Sequence, residues 1–220
     1  QHHGAAVIGN EYRARPREGR AFFAMCQELK QLLISQVTES DPMNMTPAQI
    51  LFRVLLIGVG ATLVMDIWAI IAEALFAIPQ SNFAMVGRWI GHMPEGVFAH
   101  ESIRAAAPVT GEAALGWGAH YAVGVSFAAL YVAIGGQRQL RRPQLVFALL
   151  VGLGTIVFPF FVMQPAMGAG IMASNRPDPT FAQLKSVMTH LSFGVGLYVA
   201  AWLQAKLLPQ ARLELRDVTG

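Results

Sequence analysis

VLLIGVGATLVMDIWAIIAEALFAI, residues 54–78, is an apolar run of 25 residues interrupted only by Thr62, Asp66 and Glu73. As a helix rising about 1.5 Å per residue it crosses a hydrocarbon core of roughly 30 Å with some tilt. It therefore reads as a membrane span. Asp66 falls near its middle, where a carboxylate costs at least ~2.5 kcal/mol unless it is protonated, paired or turned to a wet cavity. The rest of the chain matters first for what it can bring to Asp66.

Working outward, 54% of residues are hydrophobic and 13% charged, against about a quarter charged in soluble domains. The net charge of +3 does not point to nucleic acid, because the basic residues are scattered between apolar runs, as the positive-inside rule arranges them. A single cysteine, Cys26, excludes an intramolecular disulfide framework and a Cys-rich metal site.

Before the run, residues 1–49 hold Arg13, Arg15, Arg17, Arg20 and Lys30 and one amphipathic candidate at 22–37. They read as a loose cytoplasmic arm or an upstream extension. They lack the apolar core of a signal peptide. Residues 50–208 form the membrane domain, and 209–220 a cytoplasmic tail.

Arg53 and Pro79 bound the first span, since proline stops a helix. A polar loop over 80–109 follows. Within it Ser81 is placed to cap a short amphipathic helix, 82–93, with Phe83, Val86, Trp89 and Ile90 on the membrane interface and Arg88 in water. Thr110 is the expected cap of the second span, 113–134, with Glu112 in its first turn. The third span, 144–171, contains Pro159 and Pro165 and is the one expected to break. Thr180 and Gln183 have the spacing of a capping box opening the fourth span, 180–208. Counting basic residues near the span ends gives seven on the amino-terminal side against four on the other, which predicts both termini in the cytoplasm.

Two motifs recur in order. Leu55-Leu56-Ile57-Gly58-Val59-Gly60 returns as Leu149-Leu150-Val151-Gly152-Leu153-Gly154, and the pattern of His120, Gly124 and Val125 returns as His190, Gly194 and Val195. They are consistent with two repeated two-helix halves sharing one orientation, or with recurrent glycine-mediated packing.

Small and polar residues fall four apart, hence on one face, in three spans: Gly58, Thr62, Asp66; Gly116, His120, Gly124, Ala128; Ser186, His190, Gly194. Counted from the outer span ends, Glu73, His120 and Gln164 lie about 10 Å deep, His190 about 15 Å and Asp66 roughly 18 Å. These five residues are the expected lining of a ligand or proton pathway, with a plain inner half below it. Asp66, His120 and His190 also have the residue types of a borderline divalent-ion site, without any paired spacing on one helix. A third reading makes Asp66 a hydrogen-bonded pin between helices. His92 and His100 are expected in solvent, the four tryptophans mostly at the interfaces, and Met163 and Met167 in packing. No Ser-His-Asp order, phosphate-binding loop, dinucleotide-binding glycine pattern or nucleophile elbow occurs.

Several separate segments also agree in order with one family. They are Gly60-Ala61-Thr62-Leu63-Val64-Met65-Asp66-Ile67-Trp68, Val86-Gly87-Arg88-Trp89-Ile90-Gly91-His92-Met93-Pro94 with His100, Gly116-Trp117 before Ala119-His120-Tyr121, and Met163-Gln164-Pro165-Ala166 with Gly168 and Gly170. Over about residues 50–208 the chain resembles an uncharacterised bacterial family of small multi-span inner-membrane proteins, domain of unknown function 2938. The resemblance implies that location. It implies no activity, cofactor or catalytic residue.

The expected architecture is an all-α bundle of four transmembrane helices with a short interfacial helix in the first outer loop. Its leading function is small-solute or proton-linked transport or binding through an outward-facing polar pocket. A metal-dependent enzyme acting on a lipid or quinone-like substrate is the alternative, and a structural subunit of a membrane complex the third. The lipid bilayer is the partner, with the ligand unidentified, and a transporter of four spans would call for a homodimer.

Overall fold

The computed structural model describes residues 45–208. Residues 1–44, including the amphipathic candidate at 22–37, and 209–220 lie outside the described residues.

Helix α1, Pro47–Phe76, starts well ahead of the apolar run because its first turn is closed by a capping box. Gln49 N–H donates to the Thr46 hydroxyl at 3.3 Å and Thr46 N–H to Gln49 Oε1 at 3.0 Å. It ends before Pro79, where Ala77 takes a left-handed conformation with φ 52°. Helix α2, Phe83–His92, is capped by Asn82 rather than Ser81, with Ala84 N–H on Asn82 Oδ1 at 3.0 Å. Thr110 does not cap α3, Glu112–Gly135; Gly111, at φ 77°, occupies the cap position and the Glu112 side chain takes Val109 N–H at 3.0 Å.

After the short α4, Arg138–Arg141, the third crossing breaks as its prolines require. Helix α5, Leu145–Gly154, gives way to a π-helical turn, Pro159–Met163, and a last short helix, α6, Gln164–Ala166. The crossing stops before the expected Ile171, and Gly168, at φ 84°, follows it. Helix α7, Pro179–Leu207, is capped by Asp178, which accepts Phe181 N–H at 2.9 Å. Gln183 reaches Met172 O at 3.0 Å, so the Thr180–Gln183 box does not form.

Four helical segments are long and apolar enough to cross a membrane: Pro47–Phe76, Glu112–Gly135, Leu145–Ala166 and Pro179–Leu207. They pack in the order α3, α1, α7, α5. At the end carrying residues 45 and 208, α5 returns to α3, where Phe147 lies against Gly135 and its ring sits 5.4 Å from that of Tyr131. Among the described residues there is no strand.

Glycine makes this spacing possible. A Cβ on Gly58 would lie 2.5 Å from Val125 Cα, and one on Gly152 would lie 2.5 Å from Gly194 Cα. The first recurring motif thus meets the Gly-Val of the second at both crossings, with the partner offset by one residue, Val125 for Gly58 and Gly194 for Gly152. Side chains such as Leu51, Leu63, Ile67, Val146 and Leu203 face outward, whereas Thr62, Arg53 and Gln204 are buried. That inversion of the soluble pattern is what a lipid solvent selects.

The expectation of a plain inner half does not hold. Arg53 donates to Gln204 Oε1 and, at 2.7 Å, to Leu208 O, while Gln204 donates to Leu140 O at 2.6 Å. Beside them Tyr131 donates to Gln139 Oε1 at 2.9 Å. Arg53 read as a flanking charge; its long side chain instead turns inward to satisfy carbonyls at the helix ends.

Candidate functional site

The carboxylate of Asp66 has a partner on each oxygen. His120 Nε2 donates to Oδ1 at 2.9 Å and the Tyr121 hydroxyl to Oδ2 at 2.9 Å. Their side chains retain little exposure, 19% for Asp66 and 7% for His120. The imidazole is held by rings: its centroid is 4.0 Å from Phe83, 5.6 Å from Trp117 and 5.4 Å from Tyr121.

Depth explains how the two groups meet. Asp66 lies ten residues from the end of α1 at Phe76 and His120 eight from the start of α3 at Glu112, about 15 Å and 12 Å. The true helix ends therefore remove most of the offset expected from the sequence. Tyr121 was missed because neighbours in a helix point about 100° apart and do not share the four-residue stripe; straddling one carboxylate lets both reach it.

The other expected lining residues do not join this group. Glu73 is exposed and accepts from Gln80. His190 sits at the break in the third crossing, with Nδ1 2.7 Å from Thr155 Oγ1. The Thr155 hydroxyl donates to Gly152 O at 2.6 Å, so its proton is committed there and His190 Nδ1 is the donor in the pair. Gln164 Oε1 is buried without a hydrogen-bond partner. Of the five polar residues, Asp66 and His120 thus pair with each other, while Glu73, His190 and Gln164 make no hydrogen bond to them and the five do not form one row. Among the described residues no group of three or more His, Cys, Asp or Glu side chains is placed to hold a metal ion. Asp66, His120 and His190 are accordingly not one ligand set.

Asp66 also forms part of a cavity of about 90 Å³ between α1, α7 and the loop after α1, with Trp117 and Phe83 on its α3 side. Gln80, Ser81, Lys185 and Thr189 add polar groups to its wall. Lys185 Nζ donates to Pro79 O at 2.5 Å, which ties the loop to α7.

The loop between α1 and α3 is fastened from beneath. A Cβ on Gly87 would strike Glu112 O, and one on Gly116 would strike Phe83 O, so α2 lies directly on the first turns of α3. Arg88 was expected in water and is instead buried in this contact. Its Nε and a terminal nitrogen each donate to Glu112 at 2.8 Å, and its other terminal nitrogen to Ala106 O at 3.0 Å. The hydrogen bond to Glu112 raises the Arg88 guanidinium further above its ordinary value. Close glycine contact leaves no water for the side chain, and Glu112 supplies the counter-charge.

Trp89, expected at the interface, is buried with its indole N–H on Phe98 O at 2.8 Å. His92 and His100, expected in solvent, are half-buried and meet each other, with His92 Nδ1 2.8 Å from His100 Nε2. The His100 backbone N–H is held by Ala166 O at 2.8 Å, which brings the loop against the third crossing. Trp202 remains exposed, with Lys206 Nζ 4.1 Å above its ring.

No curated protein and no solved structure matches the chain. One family model does, over residues 55–204, a stretch that contains Asp66, His120, Tyr121, the loop with Arg88, and Lys185. The chain belongs to that family, described as protein of unknown function DUF2938.

Proposed function

We propose that the chain is a bacterial inner-membrane protein with both termini in the cytoplasm, and that it binds a small solute in the cavity beside Asp66 as part of a proton-linked transport or binding step. The single observation supporting this reading is that Asp66, doubly hydrogen-bonded to His120 and Tyr121, lies on a cavity wall. A proton between Oδ1 and Nε2 has two resting places: carboxylate with imidazolium, or carboxylic acid with neutral imidazole. The pair also has a form with one proton fewer, carboxylate beside neutral imidazole; solute charge beside Asp66 changes how tightly the pair holds that proton, and this difference couples binding to proton uptake or release.

Opposite the cavity, the clasp of Arg53, Gln204 and Leu140 O occupies the other end of the crossings. Transport through this cavity would therefore require that end to open, and a second copy of the chain is the partner we propose for a moving interface.

The test is uptake of a broad mixture of small solutes into proteoliposomes carrying a trapped pH dye. Solute-dependent proton movement that Asp66→Asn abolishes while the protein stays folded is the expected result. The same two bonds would also serve to pin α1 to α3. Solute retention and proton movement both unchanged in folded Asp66→Asn would reduce the pair to that pin.

A further inference from the structure

We infer that the ligand of the Asp66 cavity is a small dipolar solute, with an ammonium group at one end for Asp66 and a carboxylate or phosphate at the other for Lys185. This inference rests on the cavity reading above and names its ligand class.

With the Asp66–His120 pair in its form with one proton fewer, the two walls carry opposite charges, and these do not neutralise one another directly. Asp66 on α1 and Lys185 on α7 both line the cavity, and no ion pair joins them within 4.0 Å. Lys185 Nζ uses one of its three donors on Pro79 O. Asp66 accepts one hydrogen bond on each oxygen, and a carboxylate has about four acceptor positions. Each wall thus keeps capacity for a ligand of the opposite charge. Glu73 and Arg176, one of each sign, are the other charges that act on Lys185.

Electrostatics selects among ligands. A simple anion gains Lys185 but brings a like charge towards Asp66, and a simple cation has the converse difficulty. A solute with both charges satisfies both walls without adding net charge to a poorly solvated site. Met65, Trp68 and Met188 supply apolar lining for a short methylene chain between the two ends. The cavity is small, about 90 Å³, which favours a short solute or headgroup over a bulky ligand. An ω-amino acid has this chemistry, and so does the ethanolamine phosphate head of a phospholipid.

The test uses the full chain in nanodiscs of phosphatidylglycerol, which carry no amine, with binding read by tryptophan fluorescence through Trp68 and Trp117 and checked by calorimetry. The probes are 3-aminopropanoate, 4-aminobutanoate and phosphoethanolamine, with propanoate, propylamine and acetamide as single-function controls. At least one dipolar probe is expected to bind tenfold or more tighter than every control. Lys185→Met and Asp66→Asn, each verified as folded by its elution profile, are expected to remove that advantage. Repeating the titration in discs containing phosphatidylethanolamine separates the sources. Lost binding of the free probe assigns the dipolar group to the lipid head, and unchanged binding assigns it to a solute.

The inference is overturned if dipolar probes bind no better than the controls, or if neither variant changes their affinity. Acetamide binding that depends on Asp66 without any dipolar preference would overturn the ligand class yet keep the cavity as a solute site. No binding by any probe would overturn the ligand class, and unchanged proteoliposome uptake in Asp66→Asn would separately remove the cavity reading.

Discussion

Substituting Gly58 or Gly152 by alanine should push apart helices that now touch backbone to backbone. The added methyl carbon would lie 2.5 Å from Val125 Cα in the first case and 2.5 Å from Gly194 Cα in the second. Ordinary carbon contacts are about 3.5–4.0 Å, so each helix pair must separate by roughly 1 Å. A gap of that size forfeits about a quarter to a half of each contact along the seam, and forced overpacking costs about 1–3 kcal/mol. Alanine is the better helix former by up to about 1 kcal/mol, which offsets part of this loss. Gly118 and Gly154 provide the control, because nothing lies within 4 Å of a Cβ there. The expected result is that Gly58→Ala and Gly152→Ala unfold at lower denaturant in detergent titrations, while Gly118→Ala and Gly154→Ala match or exceed the parent. Equal stability across all four variants would refute glycine contact as the source of the helix spacing. A loss in Gly58→Ala alone would refute glycine contact as the source of spacing at the α5–α7 crossing.

Three further outcomes follow from particular bonds. His120→Ala removes one donor from Asp66 and should cost about 1–3 kcal/mol in the same titration, more than the about 0.5–1.5 kcal/mol expected for Tyr121→Phe; the reverse order would mean that the imidazole is not the principal partner. Gln204→Leu leaves both an Arg53 donor and Leu140 O without their bonds and should lower stability by about 1–3 kcal/mol, with no change expected if that clasp is open in the membrane. At the loop, His100→Ala loses the bond to His92, worth about 0.5–1.5 kcal/mol, so amide exchange around residues 97–103 should quicken by up to about tenfold. Arg88→Met should expose the same loop to limited proteolysis, whereas unchanged cleavage would show that the glycine contact between α2 and α3 suffices to hold it.

Much of the scaffold was legible because the bilayer imposes a simple rule: a span must be long, apolar and internally hydrogen-bonded. That rule locates four crossings, and the two prolines mark the third as the broken one. Helix ends were less legible, since Thr46, Asn82 and Asp178 compete with equally suitable neighbours for the cap and only the local backbone path decides. Among site residues, Asp66 and His120 stood out because ionisable groups in a span demand partners. Tyr121 and Thr155 did not, because each is compatible with an apolar face. Lys185, one of the four basic residues counted on the outer side, read as a charge near a span end, and its place on the same cavity as Asp66 depends on how α1 and α7 are rotated.

Composition and periodicity alone determined that this is a chain of apolar helices with a carboxylate that cannot stand alone among them. Tertiary structure decided which groups answer it, pairing Asp66 with His120 and Tyr121, leaving Glu73, Gln164 and His190 outside that group, burying Arg88 and half-burying His92 and His100 in a loop that had read as solvated. The physical reason is range. Solvent preference acts on each residue separately and is written in the sequence, whereas a hydrogen bond fails over a fraction of an ångström and is settled by the rotation and contact distance of whole helices.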